Sequence, residues 1–107
     1  MVMTLSDEYL EESITFIKKY GENTAVLMQV GHFYEAYALD TPEENINADN
    51  LRRMANIMNI QMTRKNKNIV EISRKNPMMI GVNIYSIDKF VQLLLNKFYT
   101  IVIIDQT

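Results

Sequence analysis

The chain has no cysteine, a single histidine, three glycines and two prolines in 107 residues. Without cysteine, zinc-finger, iron–sulfur and thiol-nucleophile chemistry are excluded, and the composition fits a reducing compartment inside the cell. With His32 the lone histidine and no two carboxylates spaced to pre-arrange a hard-cation site, a metal centre is not expected. Glycines 21, 31 and 81 form neither a phosphate-cradling loop nor a dinucleotide fingerprint. A nucleophile elbow is missing, which removes serine-hydrolase logic. No apolar run approaches the ~20 residues of a membrane-spanning helix. The start Met1-Val2-Met3-Thr4 lacks the basic flank and apolar stretch of a signal peptide, so a soluble intracellular protein without a membrane partner is expected. There is also no repeat and no linker, so residues 1–107 read as a single domain, too short for a barrel enzyme.

What is present suits a folded unit. Hydrophobic residues make up 48% and charged residues 22%, too apolar a balance for a disordered chain. The net charge of −2 conceals an asymmetry: residues 1–50 sum to −8 and residues 51–107 to +6. Arg64, Lys65, Lys67, Arg74 and Lys75 cluster with only Glu71 opposing them in sequence. Such a stretch is either a solvated hairpin or a phosphate-contacting edge.

Periodicity predicts a helix capped by Ser6, with Leu10, Ile14 and Ile17 as its apolar stripe and its end at Gly21. Two strands, Val26–Val30 and Phe33–Leu39, should flank a tight turn near Gly31. Thr41-Pro42-Glu43-Glu44 has the capping-box pattern of a second helix, whose stripe of Leu51, Met54, Ala55 and Met58 runs to about Asn59. Short strands follow at 60–64 and 69–72, joined by Lys65–Asn68, with a third at Met78–Val82. Ser86 should cap a last helix burying Ile87, Phe90, Val91 and Leu94, and Tyr99–Ile104 suits a central strand. The expected fold is α/β: a mixed sheet packed with about three helices.

One short stretch carries chemistry of interest. Gly31-His32-Phe33-Tyr34-Glu35 lies at a turn directly after a strand, and period two puts Phe33, Glu35 and Tyr37 on one face. The bland reading makes Phe33 a core aromatic and Glu35 an exposed strand carboxylate. Yet an unpaired carboxylate beside an apolar side chain is costly to bury, and the pair is easier to explain if that face meets a partner. A nuclease-like site of Glu35, Glu71 and Lys75 lacks a convincing partnering Asp.

Val30-Gly31-His32-Phe33-Tyr34-Glu35-Ala36-Tyr37 resembles the strand-turn-strand signature of the N-terminal mismatch-recognition domain of the MutS family of DNA mismatch-repair proteins. Ile60-Gln61-Met62-Thr63-Arg64-Lys65 is similar to the family's strand ending in Thr and a basic pair, and Pro77-Met78-Met79-Ile80-Gly81-Val82 to its Pro-Met-Ala-Gly-Ile strand. The helix Ile87–Asn96 and the closing Ile101-Val102-Ile103-Ile104-Asp105-Gln106 resemble the domain's last helix and strand. The departures are His32 where the family usually has Asp, a longer Asp40–Asn50 stretch, and Gly81-Val82-Asn83-Ile84-Tyr85 in place of Gly-Ile-Pro-Tyr-His. The many Asn and Ile residues are compatible with a divergent branch such as giant-virus or organellar relatives.

The resemblance implies that Phe33 enters DNA from the minor groove and stacks on a mispaired or unpaired base, and that Glu35 hydrogen-bonds that base. It implies backbone contacts from Arg64, Lys65 and Lys67, no catalytic site and no cofactor in this domain. It also implies a longer parent chain: an ATPase domain using ATP and magnesium, further MutS domains and a second MutS subunit. Duplex DNA carrying mismatches or unpaired bases is the expected partner. The competing expectation is a protein-interaction module that keeps the fold without DNA contact.

Overall fold

A computed structural model describes residues 3–105; the expectations resting on Met1, Val2 and Gln106 fall outside them. Helix α1 (Leu5–Tyr20) is capped by Thr4, not Ser6: the Thr4 hydroxyl accepts the Asp7 N–H at 3.1 Å. Ser6 lies in the first turn, where its hydroxyl donates to the Arg74 carbonyl at 2.9 Å. Asp7 and Glu8 in the first turn and Lys18 and Lys19 in the last match the helix dipole. The buried face is Ser6, Tyr9, Leu10 and Ser13, with Ile14 exposed, so the stripe is rotated from the expected one. Tyr9 sets that rotation. Its ring packs edge-on against Tyr37, with centroids 5.1 Å apart, and its hydroxyl donates to the Val26 carbonyl at 2.7 Å.

The expected hairpin forms from β1 (Thr24–Val30) and β2 (Phe33–Asp40), in register Val30 with Phe33 and Met28 with Glu35. Gly31, at φ +60, takes the first position of the two-residue turn, the pattern of a type II′ turn. The capping box at Thr41 makes its hydrogen bond, Glu44 N–H to the Thr41 hydroxyl at 3.0 Å, but no helix follows. The Thr41 N–H also closes on the Glu44 carbonyl, and Asn45–Ile46 returns as a two-residue strand, β3, paired with Leu39 and Asp40. Burial of Ile46 favours this hairpin over helix extension. Helix α2 (Ala48–Met58) begins only after Asn47, which adopts the left-handed conformation at φ 63. Its apolar stripe is the expected one, with Leu51, Met54, Ala55 and Met58 all buried.

Strand β4 is only Thr63–Arg64, antiparallel to β5 (Met78–Asn83). The strand expected at 69–72 does not form, because side chains take its carbonyls. Arg64 Nε donates to the Ile69 carbonyl at 2.8 Å, and the Asn76 amide donates to those of Ile69 and Glu71 at 3.0 and 2.9 Å. A 3-10 turn at Ile84–Ser86, capped by the Asn83 side chain, leads into α3 (Ile87–Leu95). Ser86 makes no side-chain cap, and of the expected stripe only Leu94 is fully buried. The last strand, β6 (Thr100–Ile104), runs parallel to β1. The sheet order is β4-β5-β2-β1-β6, with β3 on the far end of β2. The strand expected at 99–104 is therefore Thr100–Ile104 and lies at the edge of the sheet, not at its centre. An apolar run reports burial on the two faces of a sheet and says nothing of neighbours along its edges.

This is the expected α/β layering, a mixed sheet with three α-helices. Helix α1 packs on β1 and β2 from one side, and α2 packs on β2 and β5 with α3 beside it. Phe33 falls in the middle strand of the sheet, at the end that α1 leaves open.

Candidate functional site

Phe33 is the first residue of β2, with its backbone paired on both sides, to Val30 of β1 and to Asn83 of β5. The turn before it is tied down as well, since the Ile84 N–H donates to the His32 carbonyl at 2.8 Å. Phe33 is nevertheless 47% exposed. A large apolar side chain in water on so fixed a backbone is pre-organised for contact.

The cross-strand register shows what surrounds it. On the same face, Glu35 lies opposite Gly81, Tyr37 opposite Met79, and Met79 opposite Thr63. Glu35, Gly81, Met79 and Thr63 line an open groove of about 590 Å³ together with Phe33, Gln61 and Lys67. Gln61, Thr63, Met79 and Gly81 were not expected in the site. The signal for Met79 and Gly81 lay in pairing the Met78–Val82 strand antiparallel to the Phe33 strand, and Thr63 enters through β4 on the other side of β5. Gly81 leaves the space over Glu35 clear: a Cβ there would meet Glu35 Cγ at 3.6 Å.

Glu35 is half-buried and bonded. The Tyr37 hydroxyl donates to its Oε1 at 2.5 Å, and Lys65 Nζ donates to the Tyr37 hydroxyl at 3.2 Å. Burial first, and then the Glu35 carboxylate, push the Tyr37 phenol well above the ordinary range, so it remains a donor. Farther along β2 the same face turns into core under α1: Tyr37 and Leu39 are buried.

The five clustered bases separate in space. Arg64 is consumed in shaping its own loop, through the Ile69 and Lys67 carbonyls at 2.8 and 2.9 Å. Arg74 forms a two-point pair with Glu44, both contacts at 2.9 Å, and approaches Asp7 at 3.3 Å and Glu11 at 3.8 Å. Acids from the first half of the chain thus neutralise a base that only Glu71 opposes in sequence. Lys65 points at Tyr37, and Lys67 reaches the groove. Asn76, buried, braces the loop by accepting the Asn66 N–H at 2.7 Å.

The structure does not assemble the nuclease-like trio. Glu35 lines the Phe33 groove, whereas Glu71 lines a separate concavity with Asp40, Pro42 and Glu43. Among the described residues, no group of three or more His, Asp or Glu side chains is arranged to hold a metal ion, and no helix is long and apolar enough to cross a membrane.

Comparison with known proteins agrees with this geometry. The sequence model of MutS domain I matches residues 10–107. The chain is 33% identical over 104 residues to a putative DNA mismatch repair protein, a mutS homolog, of Acanthamoeba polyphaga mimivirus. That alignment covers 96% of this chain and spans 9% of the length of the relative. A giant-virus relative fits the divergent branch that the composition suggested. The chain thus belongs to the MutS family of DNA mismatch-repair proteins, as its domain I, a recognition domain and not a catalytic one.

Proposed function

We propose that this domain reads mismatches by wedge and acceptor: Phe33 enters duplex DNA from the minor groove and stacks on a mispaired or unpaired base, and Glu35 hydrogen-bonds that base. The observation that carries the reading is the half-exposed Phe33 ring on a doubly paired backbone, opening onto the groove that Glu35 lines. An apolar wedge kinks DNA at the expense of unstacking a base step, a few kcal/mol, and a mismatch is already partly unstacked. Discrimination then follows deformability and not sequence. The carboxylate adds to it, because a negative group near phosphates disfavours ordinary duplex.

Of the three expected backbone contacts, Lys67 keeps that role, at the groove's rim. Arg64 serves indirectly by holding the loop that carries Lys67. Such contacts position the duplex without specifying it. The domain acts within a longer chain, whose other domains, second subunit and magnesium-dependent ATPase supply grip and signalling. By itself this acidic domain binds DNA weakly.

The test is fluorescence anisotropy of the full-length protein with a mismatched and a matched duplex at two salt concentrations, wild type beside Phe33→Ala. Mismatch preference is expected to disappear with the ring. Preference unchanged in Phe33→Ala, or no salt-dependent DNA binding by the intact protein, would instead assign the groove to a protein partner.

A further inference from the structure

Lys65, Tyr37 and Glu35 form a hydrogen-bond chain with a fixed direction. An ammonium group has donors only, so Lys65 Nζ must donate to the Tyr37 oxygen at 3.2 Å. The Tyr37 hydroxyl has one hydrogen, and it goes to Glu35 Oε1. No other hydrogen bond reaches the Glu35 carboxylate among the described residues, which leaves Oε2 as the oxygen still without a donor. The tyrosine itself has little freedom to turn away: its ring is buried and packed edge-on against Tyr9.

We infer that Tyr37 and Lys65 are positioning residues for Glu35, and that they set mismatch preference without touching the base. Tyr37 holds one carboxylate oxygen and turns the other toward the groove; Lys65 aims the Tyr37 hydrogen. A glutamate on a strand otherwise rotates about three side-chain bonds, and each rotamer lost on binding weakens the complex. Here that ordering is completed before DNA arrives. Lys65 therefore differs in kind from Lys67, although both belong to one basic cluster: its charge is directed inward, along the chain to Glu35. This inference rests on the mismatch-reading role proposed for Glu35.

The test uses the full-length protein and two probes, a duplex with one G·T mismatch and its fully paired counterpart, with affinities measured by anisotropy. Tyr37→Phe keeps the ring against Tyr9 and deletes the donor. It is expected to lower the ratio of mismatched to matched affinity about threefold to tenfold, the loss for one hydrogen bond. In a Glu35→Ala background the same change should leave the ratio where Glu35→Ala alone puts it, since the two act as one unit. Lys65 is exposed, so Lys65→Met empties no buried site. It should lower the ratio, and Lys65→Arg should restore most of it. A merely structural role would lower both affinities together.

The inference is overturned if Tyr37→Phe keeps the wild-type ratio while Phe33→Ala abolishes it; the mismatch reading then stands alone. It is overturned equally if Lys65→Met weakens both duplexes by the same factor, which would make Lys65 an ordinary phosphate contact. Should Phe33→Ala itself keep the wild-type ratio, the mismatch reading falls and this inference with it.

Discussion

The two halves of β2 follow the same alternation and reach opposite surroundings. On one face of one strand, Tyr37 and Leu39 are buried beneath α1, whereas Phe33 is 47% exposed and Glu35 half-buried at the groove. The aromatic rings alone do not separate them, since each half carries one, although Glu35 stands in the open half where Leu39 stands in the buried one. The difference comes from where α1 ends its cover. Because both halves share one hydrogen-bonded backbone, the buried half anchors the open half, and Phe33 can remain in water without the strand fraying. A recognition element built in this way draws its rigidity from residues that never meet the ligand.

The sharpest way to break this comparison is truncation on either side of it. Leu39→Ala empties a fully buried site and should lower stability by about 3 kcal/mol, whereas Phe33→Ala should cost under about 1 kcal/mol. Urea denaturation of the 107-residue chain measures both, and similar losses would mean that Phe33 is a core residue after all.

A smaller effect concerns how the neighbouring loop is fastened. Arg74→Ala frees the loop from Glu44 and α1 and should lower stability by about 1 kcal/mol near neutral pH. The pH dependence has a definite sign. The Asp7 carboxyl is held below the ordinary range, first by the Thr4 hydroxyl and then by Arg74, and Glu44 is held there by Arg74. Each binds its proton less readily in the folded chain. The stability they contribute is complete above their unfolded values, roughly 4, and is lost as pH falls through the folded values. The gap between wild type and Arg74→Ala should thus narrow in acid; a gap constant with pH would show that the pair is not its source.

The smallest effect sharpens the comparison at the groove. Gly81 has no positive φ, and a Cβ there meets Glu35 Cγ and the Tyr34 carbonyl at 3.6 and 3.8 Å, ordinary contacts. Gly81→Ala should stabilise the chain by about 0.5 kcal/mol, by stiffening its unfolded state. Destabilisation by as much would mean that the groove floor is tighter than its distances imply.

Much of this was legible in the sequence. The hairpin around Gly31, the stripe of α2 and the placement of Phe33 and Glu35 on one face all follow from local periodicity and turn chemistry. What was not legible depends on distant partners. Thr41–Glu44 satisfies the local rules of a helix start, yet Ile46 pairs back onto Leu39. Arg74 looks basic in sequence and is neutral in space, because Asp7, Glu11 and Glu44 lie 30 or more residues away along the chain. The inward aim of Lys65 needed the position of Tyr37, which no spacing rule supplies.

The two-residue turn at Gly31 and His32 limits how this surface can diverge. A strand shows alternate residues to alternate faces, so one residue inserted between Val30 and Phe33, unless a bulge absorbs it, rolls the strand over. Phe33 and Glu35 would sink toward α2, and Tyr34 and Ala36 would come up in their place. Substitutions can retune the tip of the probe in small steps, but a change of length that neither a bulge nor a longer turn absorbs replaces the probe outright.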